Sequence, residues 1–174
     1  MKSLTDVCLA MAVVVILAQV VRLPAAAAPS QPTLHPILAA GDWIGERESA
    51  SDLAGNVVVV DVFTVDCYNC QNVVPTLRSL YSTDRRRGLC IVGIHAPETP
   101  AEKVRTYVAA SLVRQGITWP VAVDNSFALW NAYGVTAWPT QLFFDRRGRL
   151  RKTIVGDSQD SDVRATVDSL LAQP

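Results

Sequence analysis

Apolar residues in this chain fall into short continuous runs separated by stretches with helical spacing. Val57-Val58-Val59-Val60-Asp61-Val62-Phe63 is one such run, and its length and β-branched content predict a strand buried on both faces. Leu89-Cys90-Ile91-Val92-Gly93-Ile94-His95 predicts a second buried strand, and Val121-Ala122-Val123 a short third. Leu142-Phe143-Phe144 and Leu150 to Val155 predict a hairpin around Asp145-Arg146-Arg147-Gly148. Trp43-Ile44-Gly45 predicts a short edge strand, and Asp52 to Asn56 a turn before the first central strand.

The helical stretches are equally legible. Val73, Val74, Leu77, Leu80 and Tyr81 share one face of a helix, which Pro75 should kink. Thr99 as N-cap, Pro100 at N1 and Glu102 at N3 form a capping box. The helix it opens would bury Val104, Tyr107, Val108 and Leu112 and end at Gly116. Asp124-Asn125-Ser126 starts a brief helix that stops at Gly134, and a last helix carries Val163, Val167, Leu170 and Leu171. This alternation of strands and helices implies a mixed sheet with helices on both faces.

Composition excludes more than it identifies. The chain carries 16 Lys and Arg against 16 Asp and Glu, with no basic stripe. Nucleic acid is therefore not an expected partner. Arg85-Arg86-Arg87 reads as a solvated helix end beside Gly88. At the N-terminus, Lys2 precedes a run from Leu9 to Val21 that is apolar except for Gln19. That run is shorter than the roughly 20 residues that span a bilayer. Leu23-Pro24-Ala25-Ala26-Ala27-Ala28 then offers small residues suited to signal peptidase. Residues 1–28 read as a signal peptide, or else an uncleaved anchor. Pro29 to Pro36 is rich in Pro, Ser and Thr, so residues 29–41 read as a linker, and 42–174 as one domain. Either fate of the leader places the domain outside the cytoplasm, periplasmic or secreted, where disulfides persist. Beyond residue 28 the cysteines are Cys67, Cys70 and Cys90, an odd set unsuited to a purely structural framework. Cys90, mid-strand, reads as a small buried hydrophobe.

The chemistry centres on Cys67-Tyr68-Asn69-Cys70, which stands between the first buried strand and the first helix. Two cysteines at this spacing can close and open a disulfide, and a helix N-terminus stabilises the thiolate that exchange needs. Cys67, at the exposed first turn, is the expected nucleophile. Cys70, one turn further in, would resolve the mixed disulfide. Asp61 lies in an apolar run, so burial should raise its pKa and fit it to take the proton from Cys70. His35 and His95 read as structural or solvent-facing.

These spacings resemble those of the thioredoxin superfamily, and most closely its extracytoplasmic TlpA-like branch, including the thioredoxin domain of DipZ-type cytochrome c biogenesis proteins. The resemblance runs from about Trp43 to Leu171. Asp61 stands six residues before Cys67, Pro75 five after Cys70, and Trp138-Pro139-Thr140 before the hairpin. Ile94-His95-Ala96-Pro97-Glu98 adds to it. The resemblance implies a thioredoxin-like three-layer α/β/α fold with a mixed central sheet, an N-terminal edge hairpin and a strand–helix insertion. It implies a cis bond at Trp138-Pro139, with both residues binding substrate. It also puts Glu98 beside the active-site disulfide, where a carboxylate tunes thiol pKa. The family's aromatic residue before the first cysteine is replaced by Asp66, whose charge disfavours the thiolate.

The expected activity is an extracytoplasmic thiol–disulfide oxidoreductase acting on protein thiols, with cytochrome c maturation as the branch's suggestion. No cofactor or metal is expected. The implied partners are protein thiol or disulfide substrates and a separate membrane protein that donates or accepts electrons, and the chain is expected to be a monomer. Two alternatives share the fold. A copper chaperone wants two cysteines spaced one residue further apart and a distal histidine. A thiol peroxidase wants a Thr three residues before its cysteine, where Thr64 stands, but also an upstream Pro, where this chain has Val60.

Overall fold

The computed structural model describes residues 31–174; the expected signal segment lies outside the described residues. Six strands form one sheet in the order β1-β4-β3-β2-β5-β6. They are β1 (Trp43–Ile44), β2 (Val57–Phe63), β3 (Leu89–His95), β4 (Val121–Val123), β5 (Thr140–Phe144) and β6 (Leu150–Val155). β2, β3 and β4 run parallel, whereas β5 is antiparallel to β2, and β6 to β5. The mixed sheet agrees with the sequence expectation. The edge differs in detail: β1 pairs antiparallel with β4, and no hairpin partner accompanies it among the described residues.

Strand alternation sorts β2 into two faces. Val57, Val59 and Phe63 join one core with Val73, Val74 and Leu77 of α3 (Tyr68–Asp84) and Val163, Val167 and Leu170 of α6 (Asp160–Leu171). Val108 and Leu112 of α4 (Arg105–Gln115) complete that side. Val58, Val60 and Val62 join the opposite core with Ile37 of α1 (His35–Leu38) and Tyr133, which follows α5 (Ala128–Ala132). Ile37 is fully buried and its N–H donates to the Tyr133 hydroxyl at 3.1 Å. The Pro- and Ser-rich segment read as a linker thus contributes a core residue. A further short helix, α2 (Ala50–Leu53), runs into the stretch from Asp52 to Asn56 expected to be a turn. Ser49 and Asp52 cap it reciprocally through side chain and backbone.

Two glycines earn their positions. Gly148 has φ +68° in the β5–β6 turn, where a side chain is strained. Gly93 lies in β3 between Asp61 of β2 and Val121 of β4. A Cβ there would sit 2.9 Å from Val121 Cγ2 and 3.0 Å from Phe63 Cε1. Gly93→Ala should therefore cost about 1–3 kcal/mol in denaturant unfolding, with the slope unchanged.

Candidate active site

β2 ends at Phe63, and the following loop brings Cys67 to the N-cap of α3. Cys67 and Cys70 are joined as a disulfide, with Cα atoms 5.2 Å apart. Cys67 is half-buried and Cys70 is only 4% exposed. Cys70 N–H donates to Cys67 Sγ at 3.2 Å, so the first sulfur faces the unpaired donors of a helix start. A thiolate formed at Cys67 meets the positive end of a 17-residue helix. The loop is tied down by Gln71 Nε2 and Gln115 Nε2, which donate to Val65 O at 3.0 and 2.8 Å.

Asp61 is 3% exposed and shares its face of β2 with Val59 and Phe63, the face that α3 covers and Cys70 enters. Burial pushes its carboxyl up to about 6, against the opposing donation of Gln141 Nε2 at 2.9 Å. A carboxyl with that affinity changes hands with protons near neutral pH, as a base for a neighbouring thiol must.

Trp138 and Pro139 precede β5, whose Thr140 pairs with Val62 of β2. They therefore lie at the same end of the sheet as Cys67. The Trp138-Pro139 bond is cis, as the resemblance implied. Trp138 is half-buried against the core cluster that Cys67 also contacts, and its ring stacks at 4.5 Å on Trp130 and 6.5 Å from Phe127. Pro139 O accepts from Gly156 N–H, whereas neither backbone polar group of Trp138 pairs with described backbone.

Glu98 is exposed, and only its backbone N–H joins the local network. The carboxylate that organises this end of the sheet is Glu102, which is fully buried. It accepts from the Thr64 hydroxyl, and from the N–H groups of Asp66 (3.1 Å), Glu98 (2.9 Å) and Thr99 (2.7 Å). Burial would raise its pKa, but these four donors hold the carboxyl below the usual glutamate range. Half of the expected capping box is thus present, yet Thr99 does not start a helix. A 3₁₀ turn spans Ala101–Lys103, and α4 begins only at Arg105 with Val104 as its cap. Val104, expected in the apolar face, is 52% exposed for that reason.

Glu102 joins the loop before Cys67 to the loop after β3. Glu102→Ala strands four donors and should cost about 3 kcal/mol. Because its folded pKa is depressed, its contribution is present above the unfolded value of 4.5 and is lost as pH falls below it. Glu102→Gln should remove that acid dependence, which urea titrations at pH 3 to 7 would read.

The remaining polar groups also have definite places. Asp66 turns its carboxylate to the Tyr107 hydroxyl, which donates to both oxygens at 2.9 Å. That donation raises the Tyr107 pKa. His95 is fully buried, with Nε2 3.3 Å from the Thr64 hydroxyl and its ring edge-on to Phe63. Burial lowers its pKa to about 4, so the imidazole is neutral at pH 7. Cys90 is half-buried rather than a core residue; burial pushes its thiol up to about 11, and it donates weakly to Asp52 O. Sequence reasoning missed Glu102 as a site residue, along with Thr64, Tyr107 and Gln141. Glu102 was visible only as an N3 capping residue and Thr64 only at a peroxidase-like spacing, with no local signal for the roles of Tyr107 and Gln141.

No helix among the described residues is long and apolar enough to cross a membrane. The profile of the AhpC/TSA family matches residues 28–153. Protein DipZ of Mycobacterium tuberculosis (strain CDC 1551 / Oshkosh) is 34% identical over 119 residues, covering 68% of this chain. The chain spans only 17% of the length of that relative. Thiol-disulfide oxidoreductase ResA of Geobacillus thermodenitrificans (strain NG80-2) is 26% identical, over 74% of this chain and 71% of ResA. Among solved structures, a thiol-disulfide isomerase from Corynebacterium glutamicum aligns with a TM-score of 0.71 and 26% identity, covering 79% of this chain and 95% of that one.

Proposed function

The chain belongs to the AhpC/TSA family of thioredoxin-like proteins, and on that footing we propose that it is a thiol–disulfide oxidoreductase for protein substrates outside the cytoplasm. The observation that carries this reading is the Cys67–Cys70 disulfide at the start of α3, on the side of the sheet to which β2 also turns the buried Asp61. In the reducing direction the Cys67 thiolate attacks a substrate disulfide, forming a mixed disulfide and releasing one substrate sulfur. The Cys70 thiol then gives its proton to Asp61 while its sulfur attacks Cys67. The Cys67–Cys70 bond forms, and the second substrate sulfur leaves. The protein dithiol is oxidised as the substrate disulfide is reduced, and the reverse sequence oxidises a substrate dithiol.

Trp138 and Pro139 form the substrate-facing wall, where the free Trp138 backbone groups can pair with an extended polypeptide. Glu98, on the loop that Glu102 ties to Asp66, supplies a second carboxylate at this end of the sheet. Residues 1–28 serve export or anchoring, and 42–174 form the catalytic domain, onto which α1 packs through Ile37. A separate membrane protein supplies or removes electrons, the domain acts as a monomer, and a CxxCH polypeptide of cytochrome c maturation is the substrate the similarity to DipZ favours.

The peroxidase alternative needs the Thr64 hydroxyl at Cys67, but that hydroxyl donates to Glu102. The copper alternative needs a histidine at the sulfurs, but His95 is buried with Nε2 on Thr64. Mixing the dithiol form with an oxidised CxxCH polypeptide, and separately with hydrogen peroxide, distinguishes them. Rapid polypeptide reduction with slow peroxide loss is expected; catalytic peroxide loss without polypeptide reduction would overturn the reading.

A further inference from the structure

Gln141 is an unusual residue to find where it is. It sits mid-sheet in β5, directly opposite Asp61 in the antiparallel register, and is fully buried. Phe143 and Ile154 of the same face lie in the apolar core under α3. Its Nε2 donates to Asp61 Oδ1 at 2.9 Å. Its carbonyl Oε1 is buried and has no hydrogen-bond partner among the described residues. A buried amide oxygen left unpaired carries a desolvation cost, so a native structure normally gives it a use.

We propose that Gln141 is the positioning residue for Asp61, holding the carboxyl in place in both of the protonation states through which exchange takes it. This rests on Asp61 being the base for Cys70. With Asp61 ionised, Nε2 donates to the carboxylate. When Asp61 takes the Cys70 proton it becomes a donor, and the neighbouring Oε1 is the acceptor it needs; a half-turn of the amide is enough. The amide offers both functions, donor and acceptor, without adding charge. A second carboxylate would compete for the same proton, and a hydrophobe would leave both states unpaired.

The surroundings leave little else to do this work. Cys70 of α3 is the buried titratable group of the core on this face; Cys67 and Tyr81 of the same segment and Tyr107 of α4 pack partly buried against it, and the buried His95 of β3 stands at its edge. α4 presents Val108 and Leu112, and α6 presents Val163, Val167 and Leu170. Burial raises the Asp61 affinity and the Gln141 donation opposes it.

The test reads the Asp61 carboxyl directly. In full-length protein its protonated C=O infrared band, assigned by its loss in Asp61→Asn, is followed from pH 4 to 9 in wild type, Gln141→Leu and Gln141→Glu. The resolving step is timed in parallel from a preformed mixed disulfide. Gln141→Leu should move the band midpoint up by roughly one to two pH units. Gln141→Glu, nearly isosteric and expected to fold where Leu does not, should move it further up, because two carboxyls then share one proton. Resolution should slow about tenfold at pH 6 in Gln141→Leu and recover by pH 9. A merely structural role would slow it equally at every pH. A midpoint unmoved in both variants overturns the proposal. If the band responds but resolution does not follow it, Asp61 is not the base and the proposal falls with it. Absence of any exchange with protein disulfides would instead sink the proposed function, while the band would still decide the Gln141–Asp61 pairing.

Discussion

Cys70→Ala should accumulate a covalent adduct between Cys67 and its polypeptide substrate, and Cys67→Ala should accumulate none. The asymmetry follows from the positions of the two sulfurs. Cys67 is half-buried at the helix start, reachable by a partner and aligned with the helix dipole. Cys70 is 4% exposed, one turn inside, so it reaches Cys67 but not a bulky substrate. Without Cys70 the first displacement still occurs and the second cannot. Turnover should fall on the order of 10³-fold or more in either variant, as for other residues that act as one unit. The two single losses and the double loss should be about equal. Non-reducing gels of each variant after brief exposure to an oxidised polypeptide would show the adduct. Equal adducts from both variants would mean that the roles of nucleophile and resolver are misassigned.

Asp61→Asn should slow the exchange and stabilise the protein at once. The slowing comes from the lost base, worth roughly 10²-fold or more in the resolving step. In the wild type that step should rise as pH passes about 6, and in the variant the inflection should vanish. The stability effect follows from the sign of the shift. Asp61 has a folded pKa of about 6 against an unfolded value of 3.8, so the folded state binds its proton more tightly. Stability is therefore greatest below the unfolded value and is lost as pH rises through about 6. At pH 7 the buried charge costs about 3 kcal/mol at most, which an isosteric amide avoids. Urea unfolding of the two proteins should converge near pH 4 and diverge by pH 7. A variant less stable at pH 7 and unchanged in rate would show that Asp61 is held ionised by groups other than those described.

The sequence made the scaffold legible because the scaffold obeys simple periods. The β-branched run at Val57 to Phe63 became β2, the 3.6-residue spacing from Val73 to Tyr81 became α3, and Gly88 and Gly116 ended their helices at positive φ. The position of the CxxC between that strand and helix was equally readable. What the pattern hid were groups whose direction depends on three dimensions. Glu98 and Glu102 are four residues apart at what looked like one helix start. Only the 3₁₀ turn at Ala101–Lys103 sends Glu102 inward and leaves Glu98 in water. Asp66 is next to Cys67 in sequence, but its carboxylate is committed to Tyr107 from another helix. Thr140 and Gln141 are polar, so the expected strand began only at Leu142; their burial depends on β2 lying alongside. Ile37 looked like part of a linker because nothing local reveals that Tyr133, far along the chain, receives its N–H.

Exchange through Cys67 and Cys70 is tested most directly by the electron stoichiometry between this protein and a polypeptide disulfide. The dithiol form is mixed with an oxidised CxxCH polypeptide, quenched at intervals by acid and alkylated, and both partners are weighed by mass spectrometry. One Cys67–Cys70 disulfide should appear for each substrate disulfide lost, with Cys90 alkylated throughout. Oxidation of the pair without substrate reduction, or substrate reduction that survives Cys67→Ala, would contradict exchange through the pair.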